Sequence, residues 1–217
     1  MQFRLLYSGQ LLAASRSDTR TKLKHQIRCE LSPQLKRLWE TKPNLMRAAQ
    51  FQATGWLRDH PDDQKQIEDL RGNPEIYSAL RGYGLSYMAN KWERASQGFI
   101  PLVTEEMELR CKIDILFLRP EEPGMIIHGG DLDNRLKTLF DALRLPKDVK
   151  EMGGAVPISE PIYCLLEDDR LISEVRVVAD NLLLLPSRTE INENDVFLVL
   201  DVILESSSSG PWHHAFN

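Results

Sequence analysis

No stretch of this chain is apolar for long enough to cross a bilayer. The longest runs, "NLLLLP" and "DVFLVLDVIL", fall far short of the roughly 20 residues a spanning helix needs, and Asp201 interrupts the second. Cysteine is scarce. Cys29, Cys111 and Cys164 are odd in number, widely spaced and form no CxxC pair, which argues against a disulfide framework or a zinc knuckle. A cytoplasmic, reducing setting is the expectation. Internal repeats are absent, and so is any long low-complexity region. The opening "MQFRLLYSGQLLAAS" has the look of a signal peptide, but Ser8, Gly9 and Gln10 break its apolar run, and it reads instead as a strand and a turn.

What is present suits a globular protein. The chain has 217 residues, 42% hydrophobic and 27% charged, enough for a real core. The net charge of −5 argues mildly against indiscriminate nucleic-acid binding, yet it is unevenly spread. Residues 1–50 hold ten Lys/Arg against three acids, +7, which leaves −12 for the remainder. Screening confines such fields to about 10 Å, so a basic N-terminal third on an acidic body can still attract phosphate locally. A solvated helix face is the plainer reading of any single charge run.

Residues 2–7, "QFRLLY", read as a strand. From about Arg20 to Trp39, Leu23, Ile27, Leu31, Leu35 and Leu38 recur at helical spacing, with Pro33 expected to mark a break. Between about 44 and 97, helix-like stretches alternate with breakers. Beyond Gly98 the character changes. "ELRCKIDILFLRP" alternates as a strand should, and "DRLISEVRVVAD" and "NDVFLVLDVILE" read as two more, with 144–161 as a loop. The expectation is an α+β fold: a mixed sheet with packed helices, in a single domain over 1–205. Its motif-bearing core spans about 100–205, the additional N-terminal helices at about 44–97 form an insertion, and residues 206–217 are a flexible tail. His213 and His214 in that tail have nothing to fix them as metal ligands.

The informative stretch is "HGGDLDNRLKTLFDALRLP", residues 128–146. Leu136, Leu139, Phe140 and Leu143 form one apolar stripe of a helix, and Asp133 or Asn134 is a good N-cap, worth about 1 kcal/mol. A cap accounts for one aspartate and leaves Asp131 unexplained. In an extended approach to the helix, Asp131 and Asp133, two apart, would point to one side. Lys137 lies one turn on from Asp133, where the modest reading is an ion pair with Asp133 or Asp141. Gly129 and Gly130 either admit a bulky ligand close to the backbone or simply make a turn.

A second acidic group, Glu167, Asp168 and Asp169 in "LLEDDRLI", precedes a strand and by itself reads as a polar loop. Were it to lie beside Asp131 and Asp133, each pair of carboxylates about 5 Å apart would repel by roughly 3 kcal/mol at an effective dielectric near 20. A divalent cation would relieve that repulsion, and all-oxygen ligands suit Mg²⁺ or Mn²⁺ better than zinc.

Together, "DLDNRLKTLFDAL" and "LLEDDRLISEVRVV" resemble the RusA family of Holliday junction resolvases. The first part of that pattern is matched by Asp131, Asp133, Asn134, Lys137, Asp141, Ala142 and Leu143. The second is matched by Asp168, Asp169 and a strand containing Arg176, Val177 and Val178. The likeness covers about residues 100–205. It implies a mixed α/β homodimer that makes paired symmetric cuts in four-way DNA. By the same resemblance Asp131, Asp133 and Asp169 are the metal-binding carboxylates for Mg²⁺ (or Mn²⁺) and Lys137 is the catalytic lysine, with Asp168, Asn134 and Asp141 accessory. Arg16, Arg20, Lys22, Lys24 and Arg28, in the basic segment, are the candidate DNA contacts.

Other uses of a DxD sequence fit less well. Nucleotide-sugar glycosyltransferases place it after a series of βα units, and none precedes residue 131 here. Haloacid-dehalogenase-like phosphatases follow it with Gly-Thr, where this chain has Asn134 and Arg135. An EF-hand is excluded by Arg135 and Leu136 at its fifth and sixth positions. The alternative from another class is a catalytically inactive RusA-like DNA- or protein-binding module.

Overall fold

The computed structural model describes residues 1–12, 18–120, 131–183 and 192–207. Arg16, Gly129, Gly130, His213 and His214 lie outside them, as do the side chains of Asp18 and Asp131. Among the described residues the fold is α+β, with five helices, a four-stranded mixed sheet and a two-stranded parallel sheet. No helix among them is long and apolar enough to cross a membrane.

Six strands and five helices follow one another as β1 (Gln2–Gln10), α1 (Asp18–Thr41), α2 (Pro43–Asp59), α3 (Pro61–Asp69), α4 (Glu75–Lys91), β2 (Phe99–Val103), β3 (Leu109–Arg119), α5 (Asp131–Leu143), β4 (Ile162–Leu166), β5 (Ile172–Asn181) and β6 (Asp195–Ser206). Short 3-10 turns occupy Val149–Met152 and Asp169–Leu171. The chain clusters into two compact units. One comprises residues 1–32, 101–156 and 164 onward; the other comprises 33–100 and 157–163, and so contains the helices expected over 44–97.

The first unit is built on the larger sheet, ordered β1-β6-β3-β5. β6 is antiparallel to both β1 and β3, and β5 is parallel to β3. Alternation dictates its faces. Leu109, Cys111, Ile113, Ile115 and Phe117 of β3, Val196 to Leu204 at every second position of β6, and Phe3, Leu5 and Tyr7 of β1 are all buried on one side. Helices α1 and α5 bring buried apolar residues to the same unit, Leu23, Ile27 and Leu31 from one and Leu139, Ala142 and Leu143 from the other. The opposite face carries Leu6, Leu116 and Val178, all exposed.

The second unit is helical. Helices α2 and α4 meet through small residues: Ala48, Ala49 and Ala53 are fully buried, and Gly84 is buried as well. A Cβ added at Gly84 would lie 1.7 Å from the Ala49 carbonyl oxygen, so only glycine permits this approach.

Three local expectations are corrected. Pro33 does not break α1, which runs unbroken from Asp18 to Thr41. An interior proline costs about 3 kcal/mol, but burying Leu23, Ile27, Leu31, Leu35 and Trp39 along one stripe, at roughly 1.5–3 kcal/mol each, outweighs it. Strands β2 and β4 were not anticipated. "FIPLV" and "IYCLL" are buried at every position, so they lack the alternation that marks a half-exposed strand. Lastly, the loop expected over 144–161 contains the 3-10 turn Val149–Met152, capped by the Asp148 side chain accepting from the Glu151 N–H.

Candidate functional site

Helix α5 is already formed at Asp131, so Asp131 and Asp133 belong to its first turn and not to an extended approach. Two helical residues are rotated about 200° apart, so their backbone positions lie on opposite sides of the axis. Nor is Asp133 or Asn134 an N-cap, since both lie inside the helix. Asp133 there still gains from the positive end of the helix dipole, typically ~0.3–1 kcal/mol.

Asp133 and Lys137 are both exposed on one helix face, one turn apart. Neither has a hydrogen-bond or ion-pair partner among the described residues, so the ion pair with Asp133 or Asp141 that would tie up Lys137 is not formed. The buried side of α5 is turned from the expected stripe. Arg135, Thr138, Leu139, Ala142 and Leu143 are buried, whereas Leu136 and Phe140 are half-buried. Thr138 Oγ1 donates to the carbonyls of Leu12 and Asn134, both at 3.1 Å.

The last turn of α5 holds a charge cluster that sequence reasoning had distributed differently. Asp141 receives Lys24 Nζ in a short hydrogen bond, Arg144 Nη2 at 2.9 Å, and Arg20 Nη2 at 3.7 Å. Burial alone would raise its pKa. The Lys24 hydrogen bond and the charges of Lys24 and Arg144 outweigh that and hold the carboxyl below its ordinary value. Arg144 also clasps Glu151 through both guanidinium nitrogens, at 2.9 and 3.1 Å. Glu151 is likewise lowered: burial pushes it up, and the Arg144 hydrogen bond and the Lys147 N–H pull it down further.

Arg28 is 1% exposed. Its Nε donates to the Arg144 carbonyl and its Nη2 to the Asp141 carbonyl, both at 3.0 Å, which satisfies two orphan carbonyls at the C-terminal end of α5. Of the five candidate DNA contacts, Arg28 is thus a buried helix cap, and Arg20 and Lys24 neutralise Asp141. Lys22 is exposed, and Arg16 is outside the described residues. Asp141 is an anchor between α1 and α5. Beside Arg28, His25 is neutral: burial first, then the Arg28 charge, push its pKa down to about 4.

The second acidic group lies in a turn that follows β4. Leu145 N–H donates to the Leu166 carbonyl at 3.0 Å, and the strand then leads into the turn Asp169–Leu171, which touches α5. Asp168 caps that turn by accepting the Arg170 N–H at 3.0 Å, and this bond is the main reason its carboxyl sits below the usual range. Partial burial opposes the lowering, and the charges of Arg170 and Lys147 add to it. Asp169 is exposed. Glu167 accepts the Glu105 N–H at 3.0 Å, a structural role. Asp133 lies about 15 Å up the α5 axis from Leu143, at ~1.5 Å per residue, so the chain by itself does not bring Asp133 beside this turn. Among the described residues no group of three or more His, Cys, Asp or Glu is placed to hold a metal ion.

Sequence reasoning did not single out Arg144 or Lys150. The latter lines a shallow recess with Lys22, Thr21, Gly153 and Gly154, a second patch of positive charge on this unit. No signal in the sequence links Lys22 to Lys150, which are 128 positions apart. No family model, curated protein or solved structure matches the chain.

Proposed function

We propose that this protein is a RusA-like, Mg²⁺-dependent endodeoxyribonuclease, cytoplasmic and homodimeric, that cuts branched DNA, with four-way junctions as the first substrate to try. The observation that carries the reading is the pair Asp133 and Lys137: exposed, one turn apart, and without a partner among the described residues, on the helix that bears the family-like motif. A carboxylate and an ammonium that serve only solubility gain a few tenths of a kcal/mol by pairing on a helix.

The resemblance assigns Asp131, Asp133 and Asp169 as the carboxylates that would hold the ion, although the described residues bring no three such groups together. Their hard oxygen donors suit Mg²⁺ or Mn²⁺. When bound, a divalent ion supplies charge neutralisation at the scissile phosphate. Lys137 presents its ammonium to the negative charge that builds on the phosphate oxygens in the transition state. Asp168 holds the turn that carries Asp169, through its bond to the Arg170 N–H. Lys22 and Lys150 attract the flanking backbone, so affinity falls as salt rises.

The test is cleavage of a labelled synthetic four-way junction with Mg²⁺, with EDTA, and with Asp133→Asn. Symmetric nicks that require both the metal and Asp133 support the proposal. Asp133→Asn and Asp169→Asn should abolish cleavage and leave junction binding intact or tighter, because each removes a negative charge that faces phosphate. A second reading, an inactive DNA- or protein-binding module, draws support from the lack of any three-ligand acidic group among the described residues. Tight junction binding with no cleavage of junctions, flaps or forks in Mg²⁺ or Mn²⁺ would favour it.

A further inference from the structure

Strand β5 is an edge. Among the described residues it pairs with β3 alone, and its other side carries a row of backbone groups with no strand beside them. It is ten residues long, and most of its positions are exposed on both faces, Val175 and Val178 included. A long edge strand of this kind invites a further strand unless something blunts it. The pattern along β5 shows which strand fits.

We propose that a second copy of this chain adds to β5 through its own β5. The two strands run antiparallel about a two-fold axis through Val178, and the two sheets become one of eight strands. In this register Arg176 of each copy faces Asp180 of the other, Val178 faces Val178, and Val177 faces Ala179. The pairing rests on three observations.

First, the alternatives are worse. A side chain must oppose one on the same face, so only every second register is open. Centring on Arg176 sets like charges against each other, and centring on Val177 opposes Glu174 to Asp180; like charges directly opposite are destabilising. Centring on Val175 opposes Glu174 to Arg176, but Glu174 already pairs with Lys112 at 3.6 Å. Arg176 and Asp180 are exposed and make no ion pair among the described residues.

Second, the sheet supplies a row for the strand to extend. Register places Leu6 opposite Val199, Val199 opposite Leu116, and Leu116 opposite Val178, on the face away from the core. Leu6, Leu116 and Val178 are 49%, 38% and 49% exposed. The axis through Val178 joins this row to its own copy, eight apolar residues across eight strands, whereas the register centred on Val175 sets Val178 against Ile172 and ends it. Third, the neighbouring row on the same face, Arg4, Asp201, Asp114 and Arg176, finishes at the edge on a positive charge, which Asp180 of the second copy meets.

The inference deepens the nuclease reading, since two symmetric cuts call for two sites related by a two-fold axis, but its test is independent of cleavage. Sedimentation equilibrium of the full chain should show a dimer. Arg176→Asp and Asp180→Arg should each weaken it about ten-fold, from two lost ion pairs at ~0.7 kcal/mol apiece, and the double swap Arg176→Asp with Asp180→Arg should restore it. In a Cys29→Ser background, Val178→Cys should cross-link to itself under mild oxidation, because facing residues of antiparallel strands lie about 4.5–5.5 Å apart, and Val175→Cys should not. A monomer at every concentration overturns the proposal. So does a dimer indifferent to the single reversals, or a double swap that fails to restore association while circular dichroism shows an unchanged fold. A monomer that nicks junctions in Mg²⁺ removes this interface and the homodimer and leaves the cleavage reading standing; a dimer inert on DNA does the reverse.

Discussion

The two units of this molecule are held together by opposite means. In the helical unit, α2 and α4 come together because side chains are missing, with alanines facing Gly84 across a backbone-to-backbone approach. In the sheet unit the decisive pieces are large and charged. Arg28, Arg144, Lys24 and Arg20 converge on Asp141, on Glu151 and on the carbonyls that end α5. The first arrangement is sensitive to volume and indifferent to pH. The second tolerates volume but depends on every charge keeping its partner, because a buried ion left alone loses far more than a paired one gains. The chain therefore reveals little of its stability through composition, and much through which few residues are irreplaceable.

The largest effect should come from Gly84→Val. Its Cβ alone would sit inside the Ala49 carbonyl, so the helices must part, and a loss of more than about 4 kcal/mol is expected. Hydrogen exchange read by mass spectrometry should show residues 43–91 losing protection ahead of the sheet. If the sheet strands lose protection first, the contrast drawn here is wrong. Arg144→Met should act in the other unit, at about 3 kcal/mol, by leaving Asp141 and Glu151 short of a cation in a half-buried setting. Exchange should then rise in α5 and β4 and leave α2 and α4 unchanged.

Acid sharpens the same contrast. The folded pKa of His25 is about 4 against about 6.5 when unfolded, so the unfolded chain binds the proton first. Its contribution is complete above about pH 6.5 and is lost as the pH falls toward 4. Asp141 and Glu151, lowered in the folded state, contribute above their ordinary values near 4 and lose that contribution as the pH falls through their depressed ones. A thermal melt series from pH 7 to 3 should drop in two stages, and His25→Gln should flatten the first. Smaller again is Gly153→Ala, about 1–2 kcal/mol. Residue 153 has φ of +64°, and its Cβ would approach the Lys22 Cα to 2.8 Å. The smallest is Arg4→Ala. Arg4 pairs with Asp201 at 3.1 Å while itself largely exposed, and its loss should change the melting temperature by less than a degree or two.

Several elements were legible without any structure. Strands β3 and β6 announce themselves by alternation, and the helices between 43 and 91 by breakers such as Pro43, Pro61 and Asn73-Pro74 placed at their starts. The helix of the DxD segment was legible too, but its start was misplaced: the backbone is already helical at Asp131 and is not an extended approach there. Strands β2 and β4 escaped because a run buried on both faces has no period to read. Pro33 misled for a related reason. A local penalty of one residue is visible in sequence, and the burial of the stripe that overrides it is not.

The basic N-terminal segment is the sharpest case. By sequence, Arg20, Lys24 and Arg28 are three cations on a helix, equally suited to solvent or to phosphate. Their partners, Asp141 and the carbonyls of Asp141 and Arg144, lie more than a hundred residues away, and nothing local distinguishes them from Lys22, which remains exposed. The sequence by itself determined the α+β class, most elements and the residue types of the candidate site, because those follow from periodicity and local chemistry. The tertiary structure alone decided which charges face inward, which are exposed, and which strands lie at the edges of the sheet among the described residues. Each of those depends on groups remote along the chain meeting in space, where burial changes what a charge costs.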